Sequence, residues 1–287
     1  IGNGNHSKRI QKILKDKKIK YFIYKPKKPN YFDKLDFQKL LNYNIIFILS
    51  PNNTHLNYIK KLNNNKRYIF CEKPPAGNLK DLKKLIKINH EKIYYNFNFR
   101  YSKISSILSN TKKYKLGKLL YGSIISGHGL AYKKEAKKSW RFNKKKSPLG
   151  ILEIVGIHWI DLINYHYGIR KINKKLKNLK KINKSIDNCH VNIQTRNNKE
   201  IDIFCSYTSP LINEKTFIFE NGYVSEKNDF FEIRGPALNL DKKNFIKKPK
   251  LIKKNKSSNN KEYEKTLDQS VSYFITTAKN NKKFESS

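Results

Sequence analysis

Residues 67–78 read RYIFCEKPPAGN, an apolar, β-prone run followed at once by a glutamate, a lysine and two prolines. Pro74 and Pro75 cannot continue a central strand, so the run Tyr68 to Cys71 must stop there and hand Glu72 and Lys73 to a turn. That puts an ammonium group at the carboxyl end of a strand, and in open α/β sheets ligands bind in the crevice outside those ends. In a chain this rich in lysine the plain alternative is a solvated loop residue. A second candidate is IGNGNHSKRIQKIL, Ile1 to Leu14, a glycine turn feeding a helix with Ile10, Ile13 and Leu14 on one face. It has the outline of a dinucleotide fingerprint. Gly2 makes the turn, Gly4 lets the backbone approach a pyrophosphate, and Ser7 stands where a third small residue lets helix and strand pack closely. The helix amino terminus then offers unpaired N–H groups to the phosphates. The strand that should precede this turn is all but missing, and an ordinary loop is the competing reading.

The elements that would position these groups alternate. A strand expected over Ile19 to Tyr24 runs into KPKKPN, where an NAD-selective site would carry an acid for the ribose hydroxyl. None is there, and Lys25, Lys27 and Lys28 lean the reading toward the 2′-phosphate of NADP. The continuous apolar run Ile45 to Leu49 suits a strand buried on both faces of a parallel sheet, ended by Ser50 and Pro51 at the same edge as Lys73. Asn52 and Asn53 make a turn, and Thr54 is a suitable cap for a helix that begins with His55, a residue for the cofactor side or merely for the helix face. Asn78 is expected to cap a helix over Leu79 to Ile88, and another strand follows over Lys92 to Arg100. The βαβ alternation to this point implies a doubly wound parallel sheet. Beyond it come a helix over Tyr101 to Lys113, a strand-like run over Leu119 to Leu130, strands with turn signals from Lys171 to Ile252, and a last helix over Glu262 to Lys279. The fold class is therefore α/β: a Rossmann domain over 1–100, its first strand largely missing, and over 101–287 an α/β domain with a mostly antiparallel open sheet.

The 287 residues suffice for two domains with proper cores. Sixty-two basic against 22 acidic residues give a formal net charge of +40, which would suit a polyanion partner. The excess is lysine travelling with asparagine and isoleucine, as in an A/T-rich genome. It is dispersed rather than gathered in a stripe, so no specific nucleic-acid partner is expected. Cys71, Cys189 and Cys205 lie far apart with no CxxC pair or zinc-like His spacing, consistent with a reduced, cytoplasmic protein and no metal. No apolar run approaches a membrane span and no secretory signal is present. The chain has no methionine and begins at Ile1 within what reads as the end of a strand, so a missing amino terminus is expected, and the short tail after the last helix suggests the same of the carboxyl end.

Taken together, the glycine turn, SPNNTH, CEKPP, YNFNFRYS and GIHWIDLINYHYG, in that order and spacing, resemble the Gfo/Idh/MocA family of oxidoreductases over most of the chain. The most specific elements are EKP and the His-x-x-Asp block. The resemblance implies a Rossmann domain holding NAD or NADP and a second domain that carries the substrate and often an oligomer interface. The expected partners are therefore a sugar or nucleotide-sugar substrate and further copies of the chain. SGHGLAYKKEAKKSWRF looks like members associated with surface-polysaccharide sugar synthesis. Residue by residue, Lys73 matches the family lysine near the reacting hydroxyl, with a Lys73–Pro74 bond that is cis in relatives. His158 matches the histidine assigned as general acid/base. Such a pair suits the chemistry: hydride leaves carbon for the cofactor while a proton leaves the same carbinol oxygen for His158, and a cationic Lys73 stabilises the developing alkoxide. Asp161 either orients His158 or pairs locally. Arg100, Trp140 and Arg141 are candidates for the substrate wall, each with a structural role as the alternative. Cofactor contacts are expected from Gly2, Gly4, Asn5, His6, Ser7, Lys25, Ser50, Pro51, Asn52, His55, Glu72 and Lys73.

One departure stands out. Many relatives place an aspartate four residues before the histidine, where this chain has Ile154, and Glu153, if the segment is extended, points to the opposite face. A non-catalytic dinucleotide- or sugar-binding member of the same fold is therefore the competing reading.

Overall fold

The computed structural model describes residues 1–25, 34–64, 66–182, 184–227, 229–236 and 240–284. In chain order they form α1 (Asn5–Asp16), α2 (Lys34–Leu41), β1 (Ile45–Ile48), α3 (His55–Leu62), β2 (Tyr68–Cys71), α4 (Leu79–Leu85), β3 (Ile93–Tyr95), α5 (Lys103–Ser109), β4 (Leu119–Gly127), α6 (Ile157–Tyr167), β5 (Ile169–Lys177), β6 (Asn188–Thr195), β7 (Glu200–Ser206), β8 (Ile212–Phe219), β9 (Gly222–Lys227), β10 (Phe230–Arg234), β11 (Leu251–Lys256) and α7 (Asn259–Lys279). The chain divides into two compact units, residues 1–98 with 265–287 and residues 99–264. The division differs from the expected 1–100 and 101–287: most of α7 counts with the first unit, because Phe274 packs edge-on to Phe47 and Phe70 of the parallel strands.

The first unit is built on a parallel sheet in the order β1-β2-β3. All four residues of β2 are buried, as a central parallel strand requires, and the strand stops where the two prolines follow. Asn78 caps α4 as expected, its side chain accepting from Asp81 N, although the helix ends at Leu85. Thr54 does not cap α3 with its side chain; its hydroxyl donates to Pro51 O at 2.7 Å instead.

The expected strand over Ile19 to Tyr24 is not formed. Ile1 alone pairs with β1, donating to Phe47 O at 2.6 Å and accepting from Leu49 N at 2.8 Å, and Gly2 N reaches Tyr24 O at 2.9 Å. Two residues give the 19–24 segment too little ladder to join. Tyr21, Phe22 and Ile23 consequently stay 38%, 38% and 37% exposed. An apolar cavity of about 330 Å³ lies alongside, lined in part by Ile10, Leu14, Ile23, Leu40 and Ile46.

The second unit is an eight-stranded sheet in the order β11-β10-β9-β8-β4-β7-β6-β5, antiparallel except for the parallel pair β4 and β7. One face alternates inward: Cys189, Val191 and Ile193 of β6 and Ile201, Ile203 and Cys205 of β7 are buried with Trp159, Leu162 and Ile163 of α6. An N-terminal parallel Rossmann-like sheet followed by a mostly antiparallel sheet is thus the architecture of the chain. Among the described residues no helix is long and apolar enough to cross a membrane, and no three His, Cys, Asp or Glu side chains gather as a metal would need.

Candidate functional site

In the first unit the expected residues meet at the carboxyl edge of the parallel strands. Gly2 adopts φ +100°, and a Cβ there would stand 2.8 Å from Leu49 O, so only glycine fits this turn beside β1. Ser7 is buried and its hydroxyl donates to Gly2 O at 2.9 Å, tying the helix to the turn. Gly4 differs: a Cβ built on it meets nothing within 4 Å. It is the N-cap of α1 and no side chain caps the helix, so the first-turn amides, those of Asn5, His6 and Ser7 among them, face an open approach.

Across this approach stand the ends of β1 and β2. Ser50 Oγ donates to Thr54 Oγ1 at 2.7 Å, since the Thr54 proton is spent on Pro51 O. Asn52 is buried, and its Nδ2 has no hydrogen-bond partner among the described residues. His55 is not a bland helix-face residue. Its Nε2 lies 2.8 Å from Ser50 O and its Nδ1 3.0 Å from Pro74 O, so one ring joins the turns after β1 and β2. Burial draws its pKa down, and the two carbonyls offset only part of that. The Lys73–Pro74 peptide is cis, and Lys73 is half-buried. Beside it Glu72 Oε1 accepts from His6 Nε2 at 2.7 Å and from Asn96 Nδ2 at 2.6 Å. Burial opposes charge on Glu72, but His6, Asn96 and Lys73 outweigh it and hold the carboxyl below its usual range. Lys25 is exposed, while Lys27 and Lys28 lie outside the described residues.

These groups suit a dinucleotide. An uncapped helix start, a glycine with open space before it and an orphaned buried amide donor at Asn52 are what a ligand with phosphate and amide acceptors would satisfy.

In the second unit His158 occupies the first turn of α6 and is 5% exposed, its ring stacked on Phe99 at 4.3 Å and 19°. Trp159 packs on the same Phe99 at 4.6 Å. The residues before it are helical rather than extended: a π-helical turn spans Leu152–Gly156. Glu153 is therefore not set on an opposite face as in an extended segment, because side chains do not alternate there. Glu153 is buried with Oε2 accepting from Leu149 N at 3.2 Å.

Arg100, expected on the substrate wall, and Asp161, expected on the substrate side to orient His158 or pair locally, hold each other. Arg100 Nε and Nη2 donate to the two Asp161 oxygens at 2.8 and 2.6 Å, and the guanidinium lies over Tyr165 at 4.8 Å. The fork thus takes the local-pairing alternative. Burial pushes the Asp161 carboxyl up and Arg100 pulls it back only in part. Trp140 is 42% exposed with the Arg141 guanidinium over its ring at 4.9 Å. Near Arg141 is His128, whose pKa is drawn down by burial, then by Arg141 and Lys133. Three residues not singled out in the sequence also join these groups: Asn96 at Glu72 and Phe99 under His158, both within YNFNFRYS, and Ser270 behind Asn96. Only tertiary pairing reveals them.

His166, whose Nε2 lies 2.9 Å from Ser105 Oγ, gives a prediction for this unit. Burial, then Arg100, hold its pKa at about 4 against an ordinary 6.5. The unfolded chain takes the proton first, so stability is complete above about pH 6.5 and is lost as pH falls toward about 4, by roughly 3 kcal/mol at full extent. Urea unfolding across that range will show the slope, and His166→Gln will flatten it.

The family model for oxidoreductases with an NAD-binding Rossmann fold, Gfo/Idh/MocA, matches residues 4–94. Among curated proteins nothing matches. Of the solved structures, one assigned as an NADPH-dependent oxidoreductase from Desulfitobacterium hafniense DCB-2 superposes with TM-score 0.79 at 14% identity, covering 100% of this chain and 88% of that one. Levoglucosan dehydrogenase in complex with NADH and levoglucosan gives TM-score 0.70 at 16% identity, over 85% of this chain and 74% of that one. A myo-inositol dehydrogenase from Corynebacterium glutamicum ATCC 13032 gives TM-score 0.63 at 16% identity, over 84% and 72%. The chain has the Gfo/Idh/MocA oxidoreductase fold.

Proposed function

We propose that the protein is an NAD(P)-dependent oxidoreductase acting on a hydroxyl or ketone of a sugar or nucleotide sugar, in surface-polysaccharide sugar synthesis in the cytoplasm. The observation that carries this reading is the carboxyl edge of the first unit, where the open side of Gly4, the uncapped start of α1 and the orphaned Asn52 amide share one approach with Glu72 and Lys73. The similar structures named for NADPH, for NADH with levoglucosan and for myo-inositol support the reaction class.

When bound, the nicotinamide accepts or returns a hydride. The chain supplies the rest. The α1 amides and Asn52 bind, with Ser50, Pro51 and His55 shaping the β1 side. Lys73 carries the charge that steadies an alkoxide oxygen, and His158 takes its proton. Arg141 and Trp140 are proposed on the substrate side. Arg100 and Asp161 act there by bracing α6 rather than by touching substrate. With Lys25 and no acid after Tyr24, NADP is the proposed preference. Open strands in the second unit make a homo-oligomer the proposed state.

Mixing the protein with NADPH or NADH should shift nicotinamide fluorescence, with tighter binding for NADPH. Tighter NADH binding removes the NADP preference, and no shift with either removes the dinucleotide site. A non-catalytic binder on the same fold is favoured by Ile154 and by the closed Arg100–Asp161 fork, and it is distinguished by binding without turnover.

A further inference from the structure

Glu72 and Asn96 each stand one residue beyond a parallel strand, β2 and β3, whose last residues Cys71 and Tyr95 are in register. Their side chains therefore neighbour one another at the carboxyl edge, and Asn96 Nδ2 donates to Glu72 Oε1 at 2.6 Å. With that amide nitrogen spent on a carboxylate, Asn96 Oδ1 can only accept, and it accepts from Ser270 Oγ of α7 at 2.7 Å. Ser270 has then used its proton, so the 2.8 Å contact with Tyr94 is a donation from the tyrosine. Each step has one allowed direction: Tyr94 to Ser270 to Asn96 to Glu72. At the far end Glu72 takes a further hydrogen bond, at 2.7 Å, from His6 in the first turn of α1.

Asn96 and Ser270 are 1% and 0% exposed, so solvent cannot replace a missing partner. The relay aims a carboxylate that bonds His6, and His6 follows Gly4 in the turn that faces the open approach. We propose that Asn96 and Ser270 are positioning residues of the dinucleotide loop, fixing the Glu72 carboxylate that holds His6 and so setting the loop's geometry from α7. The dinucleotide part rests on the function proposed above; the hold on the loop does not.

The test has two readouts on the full chain. In the first, amide hydrogen exchange over Gly2 to Ser7 is followed without cofactor: Ser270→Ala should speed it and Ser270→Thr, which keeps the hydroxyl, should restore it. In the second, NADPH affinity of Asn96→Asp is measured against pH. At low pH the shared proton lets Asp donate to Glu72 as asparagine does. As pH rises both carboxylates charge and repel, so affinity should fall by roughly tenfold from about pH 5.5 to about pH 8 relative to wild type. A purely structural residue would not give that profile. If Asn96→Asp fails to fold, Ser270→Ala against Ser270→Thr decides by the same two readouts. Unchanged loop exchange together with pH-independent affinity relative to wild type overturns the inference. Wild type that binds no NADPH, with loop exchange responding as expected, upholds the relay and removes the dinucleotide reading instead.

Discussion

Lys73→Ala and His158→Ala each lower turnover by a factor on the order of 10²–10⁴ while dinucleotide binding stays nearly unchanged. The expectation for Lys73 follows from its surroundings. The turn that carries it packs on the buried His55 ring, which lies 3.0 Å from Pro74 O on one side and 2.8 Å from Ser50 O on the other, so removing the lysine side chain should leave the backbone in place. The amides proposed to meet the phosphates belong to α1, not to the turn that carries Lys73. What is lost is a positive charge next to Glu72, at the strand edge where an alkoxide would form. His158 lies in the second unit, in the first turn of α6. The ring is fixed by its stack on Phe99, and alanine removes the imidazole proposed to take the carbinol proton. The check is steady-state turnover beside cofactor fluorescence for both variants; equal losses in binding and turnover would count against these roles.

Glu226→Ala is expected to be the most destabilising single change to the second unit, by about 3–5 kcal/mol. Lys215 Nζ lies 2.6 Å from Glu226 Oε2, with side-chain exposures of 5% and 8%. Both project from neighbouring strands β8 and β9 at paired positions. Ser257 Oγ bonds the other Glu226 oxygen, and the ammonium sits over Trp159 at 5.4 Å. Alanine at 226 leaves a buried ammonium without its carboxylate, over the face of Trp159. Replacing both members, Lys215→Met with Glu226→Leu, removes the stranded charge and should restore most of the loss. Urea unfolding followed by the fluorescence of Trp159, beneath the pair, reports this unit directly.

How much of this was readable in the sequence depends on how local each determinant is. β2 falls on Tyr68–Cys71 as expected because two prolines end it whatever surrounds them. The glycine turn, the capping Asn78 and the antiparallel character of the second unit are likewise set by neighbours in the chain. The segment Ile19 to Tyr24 has strand composition, but the bond from Gly2 N to Tyr24 O does not make a ladder, and a strand exists by its ladder rather than by propensity. Most of α7 joins the first unit because aromatic residues of β1 and β2 offer Phe274 a place, which nothing in its own sequence reveals. Arg100 and Asp161 were legible as functional types, yet their mutual fork spans 61 residues and appears only once α6 is folded. The extended reading around Glu153 failed for a similar reason, since the π-helical turn there has no local signature.

Hydride transfer between a sugar carbinol and a cofactor at the first unit's strand edge, the reaction proposed for this protein, is tested most directly by incubating the protein with NADP and a panel of nucleotide sugars deuterated at their carbinol carbons, with mass analysis of the recovered cofactor. Deuterium is expected in the reduced nicotinamide with at least one sugar and none with His158→Ala. Cofactor bound but unlabelled across the whole panel, with NAD as well as NADP, would contradict that transfer.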